Sequence, residues 1–467
     1  VGESFVANGQ MIIEDMLARL AVEQAKTEPL ISADDPFQLP RIIQWGDGAT
    51  MQISKVVDDL ISDLAGALKQ ERDDLRKAIK QDEWRSLVRR TIGASLARAS
   101  LMPPHDEAAA IVLQNLKAEL RRQLPGPEQL EYVFGSTLFS CEDLPPFSVG
   151  PVLFERRADW AARKVAEGRL SPTTRNRLEK AWSGTKLRAR KVSEEAHCER
   201  DLLDAIADAP YVITVQMLGY ASDAGQEAAA TAARLGLTSV ALLWRHASKA
   251  LEGFHLRYDP PIHRRVGLVF GERRLLRASH MRKGLPFGPS VEPQTWEELL
   301  FEAETWLSTA GDAIAFLISP DDTGPRPEIF RALSQALLWF NAGCREESDA
   351  FAIVNFAASM DALCEGKGDQ EILRLLQARL GVKPNDPINP KGASFKSVID
   401  QIYKKGRSRT VHGTSLYAGH DRSVVRRQGE DIARFALVSC LDLVGDNPSL
   451  TEVAQLREQT ISIRSPH

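Results

Sequence analysis

The segment Ala350–Cys364, AFAIVNFAASMDALC, carries one charged residue, Asp361, and is apolar almost all round. A helix without a polar face has to be surrounded, so this stretch predicts the centre of a bundle and demands further helices nearby. The sequence supplies them. Ile329–Ala342 (IFRALSQALLWFNA) is apolar at helical spacing and is followed by Gly343, a candidate C-cap. Ser348 and Asp349 stand where the central helix needs a cap, and Leu373, Leu375, Leu376 and Leu380 mark the next helix, Glu371–Leu380. Beyond a loop at 381–393, Phe395, Val398, Ile399, Ile402 and Tyr403 form another stripe. Val424, Val425, Ile432, Phe435, Ala436, Val438 and Leu441 mark a long last helix. Together they predict an all-α bundle over 328–447. Inside it, a buried carboxylate is costly unless paired, so Asp361 requires a partner.

The rest of the chain reads differently. Residues 1–129 are expected to be helical, with Ile53, Val56, Val57, Leu60, Ile61, Leu64 and Leu68 on one face of a long helix. Residues 27–50, with Pro29, Pro36, Pro40 and several Gly and Asp, are expected to be loop. From 130 to 318 the pattern is mixed. Tyr132–Phe134, Val152–Phe154 and above all Tyr211–Leu218 read as strands, Gly225–Leu251 and Trp296–Ile318 as helices, and Val266–Leu276 as a hairpin turning at Gly271-Glu272. The proline- and aspartate-rich segment 319–327 suits a linker, and 448–467 reads as a tail. The fold class expected is α+β, predominantly α, in which 130–318 would sense, regulate or present substrate.

At 467 residues the chain exceeds one ordinary core. With 43% apolar and 26% charged residues it has a globular composition, and it shows no apolar run long enough to span a bilayer. The N-terminus does not read as a secretory signal, so a cytoplasmic location and no membrane partner are expected. Cys141, Cys198, Cys344, Cys364 and Cys440 are scattered, which suggests neither a zinc site nor a disulfide framework; no metal and no cofactor are expected. A net charge of −4 confines any nucleic-acid surface to a local patch.

Three places are candidates for such a patch. Residues 156–191 are crowded with Arg and Lys, either a face that tracks phosphates or a solvated hairpin paired to Glu155, Glu167, Glu179 and Glu194. His263, Arg264, Arg265, Arg273, Arg274, Arg277 and His280 fall on or near the expected hairpin. The third patch is the strongest. Lys404, Lys405, Arg407, Arg409, Arg422, Arg426 and Arg427 face Asp421 alone between 404 and 427, and Tyr403 and Tyr417 offer rings for an unpaired base. His420 is a secondary candidate there.

Within that patch lies Arg407-Ser408-Arg409-Thr410-Val411-His412. A guanidinium is a permanent charge whose planar fork fits phosphate oxygens, and an imidazole moves protons near neutral pH. Such a pair suits phosphodiester cleavage. Other Arg/His pairs at similar spacing occur, such as Arg98 with His105 and Arg190 with His197. What sets Arg407/His412 apart is context: the apolar helix with Asp361 in SMDAL, the leucine-rich LLQARL helix, then the stripe ending in RSRTVHG.

In that order the residues resemble the HEPN superfamily, and most closely the Apea-like HEPN domains of bacterial defence proteins. The resemblance covers about residues 328–447, and its signature is the arginine, four intervening residues and the histidine late in a helical bundle. It implies a metal-independent endoribonuclease that leaves 2′,3′-cyclic phosphate ends, acts on RNA such as tRNA or mRNA, and serves antiphage defence or growth arrest. It further implies a homodimer or higher even-numbered oligomer in which two Arg/His pairs share one groove, under the control of a protein or phage-derived trigger or inhibitor. Five residues along an ideal α-helix separate two side chains by about 140°, which agrees with a groove built from two protomers. Arg407 and His412 would be catalytic, with Asp361 orienting Arg407 or a helix end. Ser408 departs from the Asn, Asp or His common after the arginine. Lys404, Lys405, Arg409, Tyr403, Arg426 and Arg427 would contact RNA. Two readings without chemistry stand beside this one: an inert HEPN scaffold for dimerisation, and a nucleic-acid-binding regulator that uses 156–191.

Overall fold

The computed structural model describes residues 2–25, 41–46, 49–71, 79–124, 129–140, 144–260, 268–278, 288–320, 323–387, 392–413 and 421–458. Among these residues 63% are helical and 10% lie in strands, so the fold is α+β and predominantly α. It divides into two compact units, residues 1–130 with 217–228, and residues 131–216 with 229–467. His263, Arg264, Arg265, His280, Tyr417 and His420 lie outside the described residues, as does Cys141.

In the first unit, helices α1 (Gly2–Gln24), α2 (Lys55–Gln70), α3 (Gln81–Leu96) and α4 (Asp106–Gln123) enclose a core that includes Met16, Leu17, Ile61, Leu64, Val88, Ile92 and Leu116. The stretch expected to be loop contains an antiparallel hairpin, β1 (Arg41–Gly46) and β2 (Ala49–Ile53). Gly46 pairs with Ala49 at one end of the ladder, and apolar residues on the two strands face each other, Ile43 opposite Met51. Ile53 therefore closes a strand instead of opening a helix. Ser54 caps α2, its hydroxyl accepting from the Val57 N–H at 3.3 Å.

The second unit is organised on a sheet of β3 (Gln129–Ser136), β4 (Phe147–Val149), β5 (Val152–Arg156) and β6 (Tyr211–Leu218). The strand order is β3-β6-β5-β4, with β5 antiparallel to both neighbours. Apolar residues on both faces bury β6, the most strand-like stretch of the sequence. Helices α5 (Arg157–Ala166), α6 (Pro172–Trp182) and α7 (Glu194–Ile206) follow β5. The long helix expected over 225–251 is two, α8 (Ser222–Ala241) and α9 (Ala247–Gly253), broken at 242–246. A small hairpin, β7 (Leu268–Phe270) and β8 (Leu275–Ala278), turns near Gly271, whose N–H bonds to the Arg274 carbonyl. The helix expected over 296–318 is also two, α10 (Pro293–Glu302) and α11 (Glu304–Ile318). An aromatic core joins sheet and helices: Phe139 meets Trp296 edge-on with centroids 5.0 Å apart, and Phe147 stacks on Phe154 at 4.7 Å.

The bundle comprises α12 (Pro327–Arg345), α13 (Asp349–Ala362), α14 (Asp369–Leu380), α15 (Phe395–Asp400), a π-helix over Gln401–Ser408, a short α-turn at Arg409–Val411, α16 (Ser423–Asp446) and α17 (Gln455–Glu458). Helix α13 packs against α12, α14, α16 and the π-helix, as its composition requires. One stripe escapes: Phe351 is exposed, and Val354, Asn355 and Ala358 are half-buried. Gly343 is not a C-cap but an interior helical residue. A Cβ there would come within 2.7 Å of the Phe356 ring, so its task is close packing of α12 on α13. Helix α11 packs on α12 and α16, so the segment 319–327 joins two helices of one compact unit. Gly381, with φ +66°, ends α14 in the left-handed conformation that glycine favours.

Candidate active site

Asp361 is buried, 6% exposed, at the end of α13. Its Oδ1 accepts from the Gly368 backbone N–H at 3.0 Å, across the turn that carries the chain into α14. Its Oδ2 accepts from the Tyr403 hydroxyl at 3.2 Å and lies 3.3 Å from Nη2 of Arg407. The buried carboxylate thus has the partners its position requires. Tyr403 also accepts a hydrogen bond from Nη1 of Arg407, and the guanidinium lies over its ring, 4.8 Å from the centroid. Burial first, and the Asp361 carboxylate second, push the Tyr403 phenol above its ordinary range, so the hydroxyl keeps its proton to donate.

Local backbone explains this convergence. Tyr403 and Arg407 both lie on the π-helix, a rare form that recurs at functional sites. Gly406, between them, is buried against α13. A Cβ on it would approach Cγ2 of Ile353 to 2.5 Å, so only glycine lets the backbone come this close. The π-helix is thereby seated beside the helix that holds Asp361.

Ser408 is half-buried, and its carbonyl accepts from the His412 N–H at 2.9 Å. The His412 side chain is exposed at the end of the short α-turn, ahead of Gly413 at φ +67°. The structure therefore brings Asp361, Tyr403 and Arg407 together as one hydrogen-bonded set and leaves His412 facing outward on the same segment.

The expected RNA contacts fall into two groups. Lys404 is held by Asp369 and Asp400, each at 2.9 Å. Arg426 binds the Asp349 carboxylate at 3.1 Å and the Glu346 carbonyl at 2.7 Å, tying α16 to the start of α13. These two cations are committed within the fold. Lys405, Arg409 and Arg427 are exposed, and Arg422 donates to Thr410 at 3.2 Å, bracing the turn that precedes His412.

The basic stretch 156–191 proves largely self-neutralised. Arg163 pairs with Glu155 and Glu167, Lys164 and Arg169 with Glu131, Arg175 with Glu179, and Arg177 and Arg190 with buried Glu199. Pairing with Glu155, Glu167 and Glu179 follows the expected hairpin, while Glu131, Glu195 and Glu199 supply the other partners and Glu194 is exposed.

Two participants escaped sequence reasoning. Gly368 contributes only an amide, which no residue pattern marks. Tyr403 was visible as an aromatic residue four positions before Arg407, a spacing that often brings helical side chains together, but it was assigned to a nucleobase.

Among the described residues, no three His, Cys, Asp or Glu side chains converge as a metal-binding group, and no helix is long and apolar enough to cross a membrane. Cys344, Cys364 and Cys440 are buried and Cys198 is exposed, all as free thiols. No protein-family model, curated protein or solved structure matches the chain.

Proposed function

We propose that the chain is an endoribonuclease of HEPN type, with Arg407 and His412 as its reacting pair. One observation carries this reading: the Asp361–Tyr403–Arg407 set. A guanidinium has five N–H donors. Nη1 donates one to Tyr403, and Nη2 lies in ion-pair contact with Asp361 at 3.3 Å, so the fork keeps donors free on a side chain that is 34% exposed. Arg407 is thus oriented from behind and open in front, the arrangement a phosphate-binding arginine needs.

In this reading Arg407 binds the non-bridging oxygens of the scissile phosphate. His412 takes the proton from the 2′-hydroxyl, the 2′-oxygen forms a bond to phosphorus, and the bond from phosphorus to the 5′-oxygen breaks. The leaving oxygen receives a proton and a 2′,3′-cyclic phosphate remains. His412 on its exposed turn reaches a shared groove best when a second protomer supplies the facing arginine, so the active form is a dimer. The RNA is a tRNA or messenger RNA, and antiphage defence or growth arrest is the setting the family resemblance supports.

The test uses labelled total RNA with EDTA present. Arg407→Ala and His412→Ala should each lose about a hundredfold or more of the cleavage rate while keeping the wild-type oligomeric state by sedimentation. Cleavage that persists in both variants sinks the proposal. The ion pair between Arg407 and buried Asp361 also supports a second reading, an inert scaffold in which Arg407 merely neutralises Asp361. There, wild type cuts nothing and Arg407→Ala disturbs assembly or stability instead.

A further inference from the structure

Resting on the ribonuclease reading above, we infer that Tyr403 is a positioning residue that fixes the plane of the Arg407 guanidinium, and not a platform for a nucleobase. Arginine reaches its charge through a flexible stem, and a partly exposed side chain samples several rotamers unless something holds it. Asp361 alone does this loosely. Its contact with Nη2 is 3.3 Å, longer than the roughly 2.7–2.9 Å of a strong charge-assisted bond. A single contact also leaves the fork free to swing about that point.

Tyr403 supplies the missing constraints. Its hydroxyl accepts from Nη1, a second point of attachment, and its ring lies under the guanidinium, a third. The hydroxyl donates to Asp361 Oδ2, the same oxygen that Nη2 approaches, so carboxylate, phenol and guanidinium form one closed triangle. Three contacts define a plane where one defines only a pivot. One face of the ring already carries the guanidinium. The outward donors of Arg407, including Nε–H, are then presented in a fixed fork to a phosphate. Gly368 and Gly406 anchor the two ends of the set, the first by holding Asp361 Oδ1 and the second by seating the π-helix on Ile353.

The experiment is a double-mutant cycle on RNA cleavage, with single-turnover and steady-state rates for wild type, Tyr403→Phe, Arg407→Ala and the double variant. Tyr403→Phe keeps the ring and deletes only the hydroxyl. It should lower kcat about tenfold to a hundredfold with KM near wild type, the size expected for losing a hydrogen bond to a charged group. In the Arg407→Ala background the same change should have no further effect, because Tyr403 acts through Arg407. Tyr403→Phe should sediment as wild type and still melt cooperatively, with its midpoint lowered modestly because buried Asp361 loses one hydrogen-bond partner. If wild type cuts and Tyr403→Phe cuts equally well, this inference falls and the ribonuclease reading stands. Equal losses from Tyr403→Phe with and without Arg407 likewise overturn it, as does a loss confined to KM, which a hydroxyl that binds substrate directly would give. A wild type that cuts no RNA overturns the parent reading and this one with it.

Discussion

Arg379 is the residue whose surroundings fit its charge least. It lies on α14, 4% exposed, and none of Nε, Nη1 and Nη2 has a hydrogen-bond acceptor among the described residues. Burial draws its guanidinium below the usual arginine range, with only the nearby Cys440 thiol acting the other way. Contrast Asp361, equally buried but met by Gly368, Tyr403 and Arg407. Low dielectric strengthens a completed polar set and penalises an incomplete one, so the same bundle stabilises one charge and is strained by the other. Arg379→Met keeps the length of the side chain and removes the orphaned donors. It should stabilise the protein by about 1–3 kcal/mol, read as a rise in midpoint in urea or thermal unfolding. A fall in the midpoint would mean that Arg379 has a partner that replaces water in solution. On the proposed ribonuclease reading, cleavage should be unaffected, since no bond links Arg379 to the Arg407 set among the described residues.

The same logic of close approach governs the elements, and the π-helix is where it is sharpest. Gly406→Ala would drive a methyl into Cγ2 of Ile353, a clash of helix against helix with no flexible side-chain end to yield. The expected cost is about 1–3 kcal/mol of stability and, on the proposed ribonuclease reading, loss of RNA cleavage as the π-helix lifts off α13. Pairing it with Ile353→Ala, which removes the obstructing methyl, should recover part of both. Thermal melting and cleavage assays on the three variants decide this, and an Ile353→Ala that deepens the defect would refute the packing argument. Here the sequence was a partial guide. Apolar spacing located α12 to α16, because burial on one face leaves a 3.6-residue trace, whereas a β-branched run singled out Tyr211–Leu218 as a strand. It also implied that Asp361 needed a partner. The π-helix left no trace: a period-based reading assumes regular turns, and the close approach of Gly406 to Ile353 joins residues distant in sequence. Gly343 was misread for a related reason. A glycine near a helix end signals a cap by local rule, and the tertiary contact with Phe356 overrides it. The hairpin at 41–53 was hidden because its turn residues look like loop residues when the pairing partner is not known.

At the scale of the second unit, the bundle is not self-sufficient. Three polar side chains of the bundle complete their bonding on residues 242–254. Buried Glu430 on α16 accepts from the Ser248 N–H at 2.8 Å and from its hydroxyl at 2.7 Å, at the start of α9. Arg345, at the end of α12, donates to the Leu251 carbonyl at 3.0 Å and to the Phe254 carbonyl at 2.6 Å, at the other end of α9. Arg434 donates from Nε to the Leu242 carbonyl at 2.9 Å, just beyond α8. Each satisfies backbone groups that a helix end leaves open, and each becomes an orphaned donor or acceptor once 242–254 is gone. Helix α11, outside 328–447, also covers α12 and α16. The segment 328–447 expressed alone should therefore aggregate or bind a hydrophobic dye without a cooperative melt, whereas the full chain melts cooperatively. In the full chain, Glu430→Ala should cost about 2–4 kcal/mol, because it strips two bonds from a buried carboxylate site at once, and Glu430→Gln, which keeps an acceptor, should cost less. An isolated 328–447 fragment that melts cooperatively and stays soluble would refute this dependence. It would also mean that residues 242–254 do not steady the helix that carries Asp361, although α16 is gripped through Glu430 and Arg434, and Arg426, one turn before Glu430, holds the start of α13.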